Sequence, residues 1–284
     1  MKRIYYILAI TSLALTACND QLDKMPDNRL LIDSPEKVQQ TLTNAYPQIA
    51  TTLISEFSSD NIDDIGADNI YSNFLTREAA YWQPILEYNY LDGLQNIWDF
   101  HYKAISHANA ALEAIETTLK GDPALNPAKG EALVARAYAH FCLANLFCQA
   151  YNPTTSGTDL GIPYITEPEA QLNPKRDRGT VAQLYQQIDH DLQVGLPLIE
   201  DSYYQMPKYH FNKKAAYAFA ARFYLYYQQW QKAVDAANVV LTTNEATTKT
   251  LIREWLDFRD AQKTGIRSLT AYAQAYTRES DVAN

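Results

Sequence analysis

The chain has 284 residues, 47% of them hydrophobic, with 24 Lys and Arg against 33 Asp and Glu and a formal charge of −9. That length suffices for one large or two small domains with a sizeable core. So acidic a surface repels phosphate backbones and anionic headgroups, which argues against nucleic-acid binding. Tyrosine is in excess, 21 residues against 9 Phe and 4 Trp. Such an excess suits a core with wet edges, or an amphipathic contact surface for a polar ligand.

Lys2 and Arg3 precede an apolar run, Ile4 to Leu15. The run is too short to span a bilayer and reads as a secretory leader, residues 1–17. It ends in Leu15–Thr16–Ala17–Cys18, which resembles a bacterial lipobox. The resemblance implies that Cys18 becomes the mature first residue and carries the lipid, which would hold the protein on a membrane despite its acidic surface. The competing reading is an ordinary leader with a chance cysteine. Residues 18–34 are expected to form the lipidated start and a polar tether, leaving 35–284 as the folded domain.

Ser34–Pro35–Glu36 predicts a helix start with Pro at the first helical position, and Val38, Leu42, Ala45 and Ile49 follow on one face. Ser58 to Asn73 holds Asp60, Asp63, Asp64 and Asp68 among Asn and Gly and reads as loop. From Tyr71 to Tyr90 aromatics crowd without a clean period. Most are expected in the core, and some against solvent or a cleft. Trp98, Tyr102, Ile105, Asn109, Leu112 and Ile115 then recur at helical steps. A turn at Gly121–Asp122–Pro123 leads to a second apolar run, Glu131 to Phe147. Its alanines let two helix axes approach closely. An antiparallel pair over 98–151 is predicted, one that seeks neighbours of its own kind to cover its faces.

Tyr151 to Arg178 is long and rich in turn residues, so it either packs as a defined excursion or works as a binding loop. Thr180 with Gln183 forms a capping box opening a helix with Val181, Leu184, Tyr185, Ile188 and Leu192 on one face, weakening at Gly195 and Pro197. Phe211 to Leu241 carries the alanine spacing of a tetratricopeptide repeat, broken near Gln228–Gln229. Helical repeat pairs are therefore expected over 98–151 and 180–241. In the tail, Ile252 to Phe258 suits a short helix, and Ser268 to Thr277 alternates like a strand with no partner strand evident, as if the chain were incomplete or disordered at its end. The fold class expected is mainly α: tetratricopeptide-like stacked helical hairpins with long loops and a small β element near the C-terminus.

Motif searches for chemistry are mostly negative. There is no Gly-rich phosphate loop, no zinc-protease His pair and no Gly-x-Ser-x-Gly elbow. Cys142 and Cys148, six residues apart, are read as small core hydrophobes on one helix that cannot bridge each other. His140 is expected as a hydrogen-bonded core residue and Arg136 as the partner of a buried carboxylate. No catalytic residue, metal or cofactor is assigned.

Four motifs, in this order, resemble the SusD/RagB family of surface nutrient-binding lipoproteins. They are the lipobox; Trp98–x3–Tyr102–x2–Ile105–x3–Asn109; Glu131–Ala132–x3–Arg136–Ala137; and Arg178–Gly179–Thr180–Val181 leading to Asp191–Leu192. The segment from Ala220–Ala221–Arg222 through Trp230 to Leu241 supports them. The resemblance implies a non-catalytic glycan binder, or in some relatives a peptide binder, lipid-anchored at the outer membrane and seated on a TonB-dependent SusC-like transporter. It also implies a further C-terminal portion, as though this chain were truncated. Family ligand contacts cluster before the Trp98 helix. Here that places the site at Tyr88 and Tyr90, with Trp82 and Tyr81 as stacking faces and Asp60, Asp68, Asn89 and Asp92 bonding hydroxyls. Two alternatives remain. A surface glycoside hydrolase would need two carboxylates held at fixed separation. The other is a tetratricopeptide-type peptide-binding or assembly adaptor.

Overall fold

The structure, a computed structural model, describes residues 31–63, 73–86, 90–168, 174–242 and 244–251. Nine α-helices run through the described residues: α1 (Pro35–Leu42), α2 (Thr52–Phe57), α3 (Phe74–Ala80), α4 (Leu94–Glu113), α5 (Asn126–Phe147), α6 (Val181–Gly195), α7 (Lys213–Tyr226), α8 (Trp230–Leu241) and α9 (Glu245–Leu251). Among the described residues the only β pairing is one isolated antiparallel bridge, Leu160 to Thr180. Cys18, the leader, the tether as far as residue 30, and the predicted helix and strand after Leu251 lie outside the described residues.

The local signals are met at several termini. The Ser34 hydroxyl caps α1 by accepting from the Lys37 N–H, with Pro35 at the first helical position. Thr180 and Gln183 make the reciprocal box at the start of α6. α1 stops at Leu42, yet Ala45 and Ile49 stay buried in the turns beyond it. The buried face thus outlasts the helix that was expected to carry it. α5 begins at Asn126, ahead of the expected Glu131, and ends at Phe147, so Cys148 is the extended residue after the helix rather than part of it. Both cysteines are free and half-buried.

Helices α4 and α5 form the predicted hairpin. α4 runs out through a π-helical turn, Ala114–Thr118. The chain then reverses through two left-handed residues, Lys120 at φ 57° and Gly121 at φ 66°. α5 is the centre of the fold. Eight consecutive residues, Gly130 to Ala137, are buried, which a helix with one wet face does not allow. α4 covers one side of α5 and α6 another, with α1 resting on both α4 and α5. α6 packs along α5 and also meets the helices after it, Tyr185 lying 5.5 Å from Phe223 and Asp189 accepting from the Tyr224 hydroxyl and pairing with Lys232, while α7 and α8 pair with each other.

Small residues set the α5–α6 distance. A Cβ at Gly130 would come within 2.8 Å of the Gly195 carbonyl oxygen, and one at Gly195 within 3.0 Å of the Gly130 carbonyl. Aromatics bring α7 onto the opposite end of α5. Phe141 meets Phe219, Phe223 and Tyr226 at 5.7, 5.8 and 5.3 Å between ring centroids. Tyr151, Tyr185 and Tyr227 close a three-ring cluster at 4.8 to 5.4 Å, so part of the tyrosine excess fills the rim of the core.

Candidate functional site

The motif residues converge on two buried polar nodes, both anchored on α5. At the first, Glu131 is wholly buried and accepts from the Tyr46 hydroxyl and from His210 Nδ1, the latter at 2.7 Å. The Tyr46 oxygen in turn accepts the Phe211 N–H at 2.7 Å. One carboxylate thus ties the turn after α1 to the segment entering α7.

At the second node the Arg136 guanidinium donates to both oxygens of Asp191 on α6, to Asn109 Oδ1 on α4 at 2.9 Å and to the Thr166 carbonyl at 3.2 Å. The Tyr164 hydroxyl donates to Asp191 Oδ2 at 2.6 Å. Burial and the neighbouring Asp191 carboxylate push the Tyr164 phenol well above its ordinary value. His140 stacks on Tyr164 at 3.9 Å. Complete burial lowers the pKa of His140 to about 3, so it is a neutral structural residue, as the sequence suggests.

These groups fasten the excursion after α5. Residues 161–166 belong to no helix or strand, so side chains meet several of their backbone groups. Tyr102 donates to the Pro163 carbonyl at 2.8 Å, and the Ile165 N–H donates to His140 Nε2 at 3.2 Å. Asn109 Nδ2 donates to the Ile165 carbonyl at 3.0 Å. Of the two sequence expectations for this loop, the packed excursion is met.

A groove of about 610 Å³ opens between α4 and this fastened segment. Trp98 and Tyr102, 4.9 Å apart, together with Ile105, line it from α4, and Pro163 and Ile165 line it from the excursion. Its rim carries Asp99, Lys103 and Ser106 on one side and Glu167 and Arg176 on the other, all exposed. Asp99 already accepts from Gln95 Nε2 at 2.9 Å. Among the described residues no ion pair engages Lys103, Glu167 or Arg176. Sequence reasoning missed this groove. Asp99, Lys103 and Ser106 follow a helical stripe beside Trp98 and Tyr102, but the opposing wall comes from a loop some sixty residues later.

The residues expected to bind ligand are distributed as follows. Tyr81 and Trp82 form the turn that ends α3, 55% and 79% exposed. Trp82 sits at φ 54°, a left-handed conformation strained for a bulky side chain. Tyr90 and Asp92 are half-buried just before α4, with Tyr90 packed against the core and its carbonyl accepting from Gly93 N–H and Asn96 Nδ2. Asp60 is exposed in the turn after α2, and α2 packs on α3. Tyr88, Asn89 and Asp68 lie outside the described residues. The expectation that most aromatics of this stretch pack in the core is corrected: Phe74, Tyr81 and Trp82 are exposed, and only Tyr90 of those described packs inward. The short α3 and the turn after it have too little apolar neighbourhood to cover three rings.

Among the described residues no group of three or more His, Cys, Asp or Glu could hold a metal ion, and no helix is long and apolar enough to cross a membrane.

Residues 20–225 match the SusD-like family model described as starch-binding, associating with outer membrane. A SusD-like protein of Bacteroides ovatus is 24% identical over 240 residues, covering 81% of this chain and 40% of the relative. A SusD superfamily structure from Bacteroides thetaiotaomicron superposes with a TM-score of 0.60 at 23% identity, over 80% of this chain and 49% of that one. A second, from Bacteroides vulgatus, gives 0.57 at 22%, over 85% and 51%. A laminarin binding SusD-like protein gives 0.55 at 18%, over 74% and 44%. At these identities the structural likeness is one of fold, and the chain spans about half the length of these relatives or less. With well over half of its residues matched by the family model, the chain belongs to the SusD-like family of starch-binding, outer-membrane-associated proteins.

Proposed function

We propose that this chain is a cell-surface glycan-binding lipoprotein, anchored through Cys18, that delivers oligosaccharide unaltered to a TonB-dependent SusC-like transporter. The observation that carries the reading is Trp82. It is the most exposed large hydrophobic residue among those described, presented beside Tyr81 on a strained turn. The left-handed residue closes the end of α3, as Gln228 closes α7, and it leaves the ring facing solvent; a flat indole in that position is what the apolar face of a sugar ring stacks on. Family membership supports the ligand class. Tyr88 and the solvent-facing part of the half-buried Tyr90 are the further stacking faces, and Asp60, Asp68, Asn89 and Asp92 the hydroxyl partners.

Calorimetric titration of the chain with a panel of neutral glucans tests the binding. Trp82→Ala, and separately Tyr88→Ala with Tyr90→Ala, should weaken it while the helical circular dichroism is unchanged. Undiminished affinity in both would remove the site. Incubation with the bound glycan should release no new reducing ends, since the protein does no chemistry. Cys18→Ser should move the protein out of the membrane fraction, and detergent extraction of the lipidated form should co-purify an outer-membrane β-barrel.

A further inference from the structure

The groove between α4 and the residues Pro163, Ile165, Glu167, Pro174 and Arg176 is built from a different part of the chain than the Tyr81–Asp92 region. Its lining combines the Trp98–Tyr102 pair with charged groups, of which Asp99 accepts from Gln95 and Lys103 lies over the Phe100 ring at 5.7 Å. At about 610 Å³ it is in the range of a small-ligand site.

The charges on its rim are not equivalent. Asp99 is engaged by Gln95. Lys103 and Arg176 face the groove from opposite walls, with no carboxylate among the described residues paired to either, and Lys175 adjoins Arg176 in sequence. The lining holds two cations and two carboxylates, so in a chain of charge −9 the groove is a formally neutral spot where a guanidinium and an ammonium flank an aromatic floor. The guanidinium fork matches a planar carboxylate in two parallel hydrogen bonds, and an ammonium on the other wall adds a second charge-assisted contact.

From this geometry we infer that the groove is a second carbohydrate subsite, selective for sugars that bear a carboxylate, the hexuronic acids. A sugar ring lies against Trp98 and Tyr102, its carboxylate reaches Arg176 with Lys103 opposite, and Glu167 accepts from ring hydroxyls. The inference rests on the reading of the chain as a glycan binder and adds a ligand class to it.

The test uses the full chain and two probes that differ only in charge, tri-galacturonate and its methyl ester. The free acid should bind roughly 10- to 100-fold tighter than the ester, and added salt should narrow the gap. Lys103→Gln with Arg176→Gln, both exposed and outside the core, should abolish that preference without shifting the thermal melt. Ser106→Trp, which fills the groove from α4, should weaken both probes. Equal affinity for acid and ester, or a preference that survives the double substitution, overturns the inference. If neutral glucans still bind in that case, the broader reading stands. If no glycan of either kind binds, both fall. Competition by poly-glutamate equal to that of the free acid would also overturn it, because the groove would then read charge without reading sugar.

Discussion

Arg136 of α5 and Asp191 of α6 meet in a two-pronged ion pair, Nε to Oδ2 at 2.7 Å and Nη2 to Oδ1 at 2.8 Å, with both side chains almost wholly out of solvent. The pair joins positions 55 residues apart, and the same guanidinium reaches α4 and the excursion. Removing one partner leaves the other charge buried and alone. Asp191→Leu should therefore cost about 3–5 kcal/mol of unfolding free energy, read as a lower midpoint in urea. Arg136→Met should cost a similar amount. The double variant should lose clearly less than the sum, because neither charge is then stranded. Strict additivity would show that the pair contributes nothing as a pair.

Acid should weaken the fold before any general denaturation. Burial holds His140 neutral down to about pH 3, whereas its ordinary value is 6.5. Between those values the unfolded chain binds a proton that the folded chain refuses, so stability is full above about 6.5 and declines as pH falls toward 3. The decline is about 1.4 kcal/mol per unit from this one group. Burial also lowers His101, which adds in the same direction. Urea midpoints compared at about pH 7.5 and about pH 5 should show the loss. His140→Leu should be weaker than the parent at the higher pH, having lost its bond from the Ile165 N–H, and less sensitive to acid. An unchanged pH slope in that variant would place the titration elsewhere.

The contact between Gly130 and Gly195 makes an opposite prediction from helix propensity. Alanine favours a helix over glycine by about 1 kcal/mol. At Gly130 the added methyl would sit 2.8 Å from a backbone oxygen and 2.9 Å from Leu198 Cβ, neither of which is the free end of a flexible side chain. Gly130→Ala should thus destabilise by about 1–3 kcal/mol, and thermal melts would show it. A gain in stability would mean that the two helices can separate at no cost.

What the sequence made legible was the part of the fold decided within a few residues. The Ser34 cap, the Thr180–Gln183 box and the two helical hairpins are read from nearest neighbours and period. Arg136 could be assigned a buried carboxylate because an alanine-rich helix leaves few other uses for a charge. Which carboxylate was not readable, since Asp191 comes to it only through the packing of α6. Gly195 illustrates the same limit: read locally it weakens a helix, and in the structure it is the place where α6 touches α5. The groove at Trp98 was hidden for that reason too, having one wall on a helix and the other on a loop whose path is set by side-chain hydrogen bonds. The aromatics at 74–82 misled in the other direction. Hydrophobic composition suggested a core for these rings, whereas the short α3 buries only Leu75, Thr76 and Ala79.

Trp82 sets conformational strain against binding, and a single substitution separates them. At φ 54° a residue with a Cβ is strained by roughly 1–2 kcal/mol relative to glycine, and the indole recovers little of this by burial because it is 79% exposed. Trp82→Gly should therefore leave stability unchanged or raise it by up to about 1 kcal/mol, the gain limited by the freedom glycine restores to the unfolded chain. The same change removes the stacking face and should weaken neutral-glycan binding by more than it alters folding. Trp82→Phe should keep part of the affinity and all of the strain. Stability and affinity falling together in the glycine variant would mean that the ring is held by packing, and the role assigned to it would be lost.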